Sequence, residues 1–325
     1  MKAVVTGAAG FIGFHTTRRL LDAGWQVIGI DNLNDYYPVE LKQTRLAQLL
    51  DRDGFRFAKA DIADPHALDA AIGSDRDADI IVHLAAQAGV RYSIENPAAY
   101  VSANVMGQVT IFEAALKLQK RPPVVYASSS SVYGANEKIP FSESDAVNHP
   151  VSVYAATKRS GELLAFSYRH VHGLASTGLR FFTVYGPYGR PDMAPWLFTD
   201  AILKGEPIRV FNNGEMQRDF TFIDDIVSGV VGAVKRILEK PEDTAPVYNL
   251  GNNRPVMLGD FIATIEKAVG RDAIRKLEPM PAADVQRTYA DIALAARDLG
   301  FSPQTSLDDG IPLFVDWFRG YNGTR

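Results

Sequence analysis

Ala3-Val-Val-Thr-Gly-Ala-Ala-Gly-Phe-Ile-Gly13 is the stretch from which the fold is read. Its apolar opening makes a short buried strand, and an amphipathic helix through about Ala23 follows the glycines. Gly7, Gly10 and Gly13 stand at a Gly-x-x-Gly-x-x-Gly spacing. Glycines so placed permit a tight turn, let the backbone approach a pyrophosphate and let helix pack on strand, while the helix N-terminus presents N–H groups and positive potential. Alone, the spacing reads equally as an ordinary glycine-rich turn. The residues beyond it decide between the two.

A second strand from Trp25 to Ile30 ends at Asp31, at the distance beyond the loop, about 20 residues, where a dinucleotide fold places its acid. A carboxylate there accepts both adenosine ribose hydroxyls and repels the extra phosphate of NADP, so NAD is the expected cofactor; a turn or helix-capping aspartate is the bland alternative. A third strand, Phe55 to Ala60, ends at Asp61-Ile62, and a fourth, Asp79 to His83, runs into Leu84-Ala85-Ala86-Gln87. Strands alternating with helical stretches predict an α/β fold, a doubly wound parallel sheet of the Rossmann type, with ligands beyond the carboxyl ends of the strands. Asp61 and Ile62 then fall on the adenine side and Leu84 to Gln87 on the nicotinamide side. His83 reads as packed against the sheet rather than chemical.

Glu95 to Leu118 reads as helical with Asn104 at the same rim, and Val124 to Ala127 is a fifth strand that delivers Ser128-Ser129-Ser130-Ser131 onto that edge. Serine favours turns, so the run is either a solvated turn or a set of ligand hydroxyls. The next helix, ending near His172, carries Tyr154-Ala155-Ala156-Thr157-Lys158. Positions i and i+4 share a helix face, so phenol and ammonium point the same way, and a nearby cation stabilises a phenolate. Taken alone, the pair reads as a Tyr and a Lys on a half-exposed helix; the residues around it overturn that reading. A sixth strand spans Ala175 to Phe182.

At 325 residues the chain accommodates a large domain plus a smaller one; 46% hydrophobic and 22% charged residues are those of an ordinary globular protein. A net charge of -4 gives no broad basic surface, so neither nucleic acid nor an anionic membrane is an expected partner. The lack of cysteine excludes disulfides and thiolate chemistry and fits a reducing compartment. With a strand directly after Met1-Lys2 and no apolar run near the roughly 20 residues of a bilayer span, a cytoplasmic protein is expected. His170 and His172, two apart in a helical pattern, face different sides, so no metal site is expected.

Residues 1–180 thus read as a dinucleotide-binding domain that also receives 218–250, and 181–325 as a smaller α/β substrate lobe. A Gly/Pro-rich loop from Thr183 to Asp192 opens that lobe. Arg190, Arg218 and Arg287 are each readable as solvated surface; as a set they suit a diphosphate, which a planar guanidinium grips bidentately. Phe211 is placed to stack on a base, and Asp224-Asp225 reads as a helix cap rather than a chemical pair.

Together these residues resemble the extended short-chain dehydrogenase/reductase family, in its nucleotide-sugar epimerase branch, across essentially the whole chain. His149-Pro-Val-Ser-Val-Tyr-Ala-Ala-Thr-Lys158, Leu179-Arg-Phe-Phe-Thr-Val-Tyr-Gly-Pro-Tyr-Gly-Arg-Pro-Asp-Met193 and Arg218-Asp-Phe-Thr-Phe-Ile-Asp-Asp225 look most like the UDP-glucuronate 4-epimerases. The resemblance implies NAD-dependent interconversion of UDP-glucuronate and UDP-galacturonate through a 4-keto sugar; UDP-hexose epimerisation is the alternative within the class and a non-catalytic dinucleotide sensor the remote one. It implies Tyr154 as base, Lys158 on the ribose and lowering the phenol's pKa, and Ser129 with Ser131 orienting the 4-hydroxyl. Phe11, Ile12, Asn32, Asn34 and Phe181 join the expected cofactor contacts. Ser128, Ser129, Ser130, Ser131, Thr183 and Arg190 are the candidates to hold a sugar carboxylate. Dehydratase and decarboxylase relatives carry an acid after the catalytic Ser or Thr, and here Ser129-Ser-Ser-Val-Tyr-Gly134 has none. A homodimer through the Glu95 to Leu118 and Tyr154 to His172 helices is implied by analogy.

Overall fold

The computed structural model describes residues 1–279 and 286–323. Strands β1 (Lys2–Thr6), β2 (Gln26–Asp31), β3 (Phe55–Lys59), β4 (Ile80–His83), β5 (Val124–Ser129), β6 (Ser176–Phe181) and β10 (Val247–Leu250) form one sheet in the order β10-β6-β5-β4-β1-β2-β3, every neighbouring pair parallel. β7 (Thr183–Tyr185), β9 (Gln217–Phe222) and β11 (Pro255–Met257) make a small mixed sheet, and β8 (Pro207–Phe211) pairs with β12 (Ile274–Glu278).

Both faces of the large sheet are buried, which is why its strands read as unbroken apolar runs. Ala3 and Val5 point into the core shared with the helices Phe11–Asp22 and Ile223–Glu239 and with the second lobe; Val4 points into the core under Ile111 and Phe112. The period of two sorts neighbours to opposite faces. β10 comes from beyond the second lobe's first strands, and its Asn249 pairs with Arg180 of β6.

The stretch expected as one helix from Glu95 to Leu118 is broken. Tyr92–Glu95 ends at Asn96, whose side chain caps Pro97–Tyr100; a π-helical turn, Val101–Met106, then leads into Gly107–Lys117. Proline at the first helical position restarts the helix. The π turn carries Asn104, which is where such turns tend to matter.

Asp224 and Asp225 do not cap their own helix. Asp225 instead accepts the backbone N–H groups of Gln304 (3.2 Å) and Thr305 (2.9 Å), tying a distant loop down. Among the described residues no helix is long and apolar enough to cross a membrane.

Candidate active site

The carboxyl ends of β1, β2, β4 and β5 open into a cavity of about 1180 Å³, closed from the other side by the second lobe. A single small ligand usually occupies roughly 300–1,000 Å³, so this space has room for two. Of the sequence-predicted residues, all but Asn104 and Arg287 border it.

The glycine loop forms one wall. Gly7 has φ +71°, a conformation glycine adopts freely, and a Cβ there would lie 2.7 Å from the Ala85 nitrogen. A Cβ on Gly13 would lie 2.0 Å from the Gly7 carbonyl oxygen. Both glycines are therefore required by close backbone packing. At the end of β2, Asp31 is 7% exposed and accepts from the Ala9 N–H (3.2 Å) and the Leu33 N–H (2.8 Å). A carboxylate offers about four lone-pair sites, so acceptor capacity remains for ribose hydroxyls. Asp61 accepts from Ala63 and from the Asn32 amide, and the Asn34 carbonyl groups hold the Lys42 ammonium. Among the cavity-lining groups, the Gln87 amide nitrogen is buried with no hydrogen-bond partner of good geometry. A cradle of tight glycines and an acid with lone pairs left for ribose hydroxyls fits a dinucleotide.

Asn104 corrects its expected role. It is buried, accepts the Gln87 N–H at 2.8 Å and donates to the Gln87 carbonyl and to Thr157 Oγ1 at 3.0 Å each. It fixes the Gln87 loop to the Tyr154 helix, both its N–H donors are committed, and it does not border the cavity. His83, as read, is structural: burial lowers its pKa to about 3, and Nδ1 meets Thr6 Oγ1 at 2.7 Å.

The helix Val153–His172 begins with Ser152 capping the Ala155 N–H, which sets Tyr154 in the first turn and Lys158 one turn on, both toward the cavity. The Lys158 ammonium donates to the Ala127 carbonyl (2.9 Å), and burial lowers its pKa to about 8. Burial pushes the Tyr154 phenol up, opposed by the hydrogen bond with Ser129 and by the Arg190 charge. The Asp192 carboxylate, paired with Arg190, works in the same direction as burial. Ser129 Oγ lies 3.2 Å from Ser131 Oγ and also accepts the Ser131 N–H.

Ser128 borders the cavity, but its hydroxyl is committed elsewhere: buried, it donates to Glu162 Oε1 at 2.7 Å. Glu162 is gripped bidentately by Arg180 (2.8 and 2.9 Å) and met by Arg159 (2.9 Å). Burial pushes the carboxyl up, but the Arg180 hydrogen bonds and charge, with Ser128 and Arg159, outweigh it and leave its pKa lowered. Arg180 goes on to Tyr133 (3.0 Å), and Tyr133 to Asn249 of β10 (2.7 Å). This buried chain seats the serine run. The sequence reading missed it, and the only signal was a Glu and an Arg on otherwise apolar faces.

From the second lobe, Thr183, Arg190, Phe211 and Arg218 reach the cavity. Arg190 is paired bidentately, through Nε and Nη2, with Asp192, which also accepts from the Tyr36 hydroxyl at 3.1 Å. Tyr36 and Asp192 were not singled out from the sequence, although an aromatic pair, Tyr36-Tyr37, in the loop after a strand-end acid is a usable sign. Phe211 has the Arg91 guanidinium 4.7 Å and the Arg209 guanidinium 5.0 Å from its ring centre, so it is a partner of cations before it is a platform for a base. Arg218 lies on β9, its Nη1 donating to the Gln217 and Gln286 carbonyls. Arg287 is exposed, its backbone bridged to Gln217, one residue before the cavity-lining Thr288.

The family model described as NAD dependent epimerase/dehydratase family matches residues 3–251. UDP-glucuronate 4-epimerase 3 of Arabidopsis thaliana is 46% identical over 337 residues, covering 100% of this chain and 78% of that one. The crystal structure of a UDP-glucuronic acid 4-epimerase from Bacillus cereus, in complex with UDP-glucuronic acid and NAD, superposes with a TM-score of 0.88 at 35% identity over 99% of this chain and 100% of that one. A UDP-glucose 4-epimerase with UDP-glucose from Thermotoga maritima is similar in fold, with a TM-score of 0.87 at 29% identity over 99% of this chain and 100% of that one.

Proposed function

The chain belongs to the NAD dependent epimerase/dehydratase family, and we propose that within it this protein is a UDP-glucuronate 4-epimerase, interconverting UDP-glucuronate and UDP-galacturonate. The observation that carries the reading is that Tyr154, Ser129 and Arg190 line the same cavity as the glycine loop and Asp31. The uronate rather than the neutral hexose is supported by 46% identity to a named UDP-glucuronate epimerase and, among the solved structures, by 35% to a UDP-glucuronic acid epimerase against 29% to a UDP-glucose epimerase.

NAD, when bound, supplies a reversible acceptor for the hydride of the sugar's carbon 4. Tyr154 takes the proton of the 4-hydroxyl as that hydride leaves and returns it when the hydride comes back to the opposite face. Proton acceptance needs the phenolate, and Ser129 and Arg190 are the protein groups that favour it against burial. Ser129, steadied by Ser131, orients the hydroxyl. Lys158, anchored on Ala127, stands one helical turn away to hold the ribose. The 4-keto uronate is a β-keto acid, and retaining its carboxylate requires that the group be pinned; Thr183, Ser130 and Arg190 border the space where it would lie. The loop Ser129-Ser-Ser-Val-Tyr-Gly134 offers no acid for elimination.

The purified protein with NAD is expected to convert UDP-glucuronate to UDP-galacturonate, with a label on carbon 4 retained in the product, both followed by NMR. Turnover of UDP-glucose with none of UDP-glucuronate would reject the reading, as would label lost to water.

A homodimer is part of the same proposal. Phe166 (71% exposed), Leu163 (55%) and Met106 (53%) leave an apolar face on the packed helices Val153–His172 and Val101–Lys117. Apolar surface of this kind marks an interaction site. Phe166→Glu is expected to turn a dimer into a monomer in analytical ultracentrifugation; a wild type that already sediments as a monomer would remove this part. The cytoplasm is the proposed location, in keeping with a chain that has 0 cysteines and a fold that needs no oxidising compartment.

A further inference from the structure

The side chain of Arg45, on the helix Val39–Leu50, is fully buried, and every group it bonds is neutral. Nη1 donates to the Ala9 carbonyl of the glycine loop (3.0 Å) and to the Tyr37 hydroxyl (2.8 Å). Nε and Nη2 donate to the Tyr188 carbonyl (3.1 and 2.7 Å), and Nη2 also to Gly189 (3.3 Å). His15, on the glycine-loop helix, meets the preceding carbonyl, Pro187, through Nε2 at 3.0 Å; burial lowers its pKa to about 3, so it acts as a neutral donor. Three consecutive carbonyls immediately before Arg190 are thus held by side chains of the dinucleotide lobe. The held segment includes Tyr188 at φ +61°, a conformation a bulky residue keeps only when its surroundings impose it.

Carbonyls solvate a guanidinium without neutralising it, and an unneutralised buried cation is costly. Among the charged groups nearby, Lys42, one turn earlier, is bonded to Asn34, and Asp31 takes the N–H of the residue whose carbonyl Arg45 holds. Between them they leave Arg45 with no bonded carboxylate among the described residues. An anion is the ligand a glycine loop at a helix N-terminus attracts.

We infer that Arg45 is a positioning residue that links the two ligand sites: its charge is compensated by the diphosphate bound at the glycine loop, and that compensation fixes the Pro187–Gly189 segment that presents Arg190. The inference rests on the NAD-dependent reading above. By reciprocity, a ligand that engages Arg190 tightens the dinucleotide in return.

The test uses the nucleotide-free full chain with ADP and adenosine as probes, so that phosphate is the only difference. Arg45→Met is expected to weaken ADP at least about tenfold while adenosine affinity stays within about twofold, and Arg45→Lys to recover part of the ADP loss, by calorimetry. In the wild type, ADP but not adenosine is expected to slow amide exchange across residues 186–193, a measurement that stands if Arg45→Met fails to fold. Equal weakening of both probes, or exchange that does not distinguish them, overturns the inference while leaving the function intact. A wild type that binds neither NAD nor ADP instead sinks the functional reading.

Discussion

Replacing Glu162 by Gln keeps the volume and the Ser128 acceptor but removes one charge of a pair whose side chains are each 3% exposed. Arg180 is then left with a buried charge and only the Tyr133 hydroxyl and a neutral amide to face. Breaking such a pair costs about 3–5 kcal/mol. With an unfolding entropy of about 2.1 cal/mol/K per residue, a chain of 325 residues has roughly 0.7 kcal/mol/K, so the melting temperature should fall by about 4–7 °C at pH 7. The folded pKa of Glu162 lies below its unfolded value, so its contribution is fully present above the ordinary carboxylate range and is lost as pH falls through the folded pKa. The gap between wild type and variant should therefore be widest near neutrality and narrow in acid. Scanning calorimetry at a series of pH values measures both. Glu162→Leu with Arg180→Met, which removes both charges, should recover most of the loss. A single variant melting with the wild type at pH 7, or a deficit that does not change with pH, would refute the account of a charge-stabilised floor beneath the serine run.

Tyr154→Phe is expected to abolish epimerisation while NAD still binds, since only the ionisable hydroxyl is lost; near-normal turnover would remove Tyr154 from the chemistry. Ser129→Ala should slow turnover by roughly 10²-fold, whereas Ser128→Ala, which takes a donor from Glu162, should cost about 1–2 kcal/mol of stability with turnover within a few-fold; the reverse pattern in paired kinetics and denaturation would undo the assignment of the two hydroxyls. Lys158 has its pKa lowered to about 8 by burial. The unfolded chain then holds more protons between that value and the ordinary lysine range, so the stability of the nucleotide-free protein should rise with pH across that window, and Lys158→Met should flatten the rise. Identical pH–stability curves would contradict it.

Gly10, Gly13 and the acid at the end of β2 were legible because their reasons are local: a Cβ on Gly10 or Gly13 would strike the Gly7 carbonyl, and Asp31 bonds a residue two positions on. The same holds for Ser152, Tyr154 and Lys158, whose relation is that of one helix. Alternating strands and helices then put every strand end on one rim, and the fold class followed. Tertiary structure alone chose among residues of the same type. Whether Ser128 or Ser129 faces a ligand depends on where Glu162 stands, 34 residues later. Asn104 became a brace because Thr157, 53 residues away, lies across from it. Arg45 took a central place through carbonyls 143 and 144 residues distant. A buried polar group must find partners, and periodicity says which way a side chain points but not what topology brings to meet it. The chain's own order thus determined the scaffold and the residue kinds at its rim, while the packing of the lobes decided which of them are left facing the cavity.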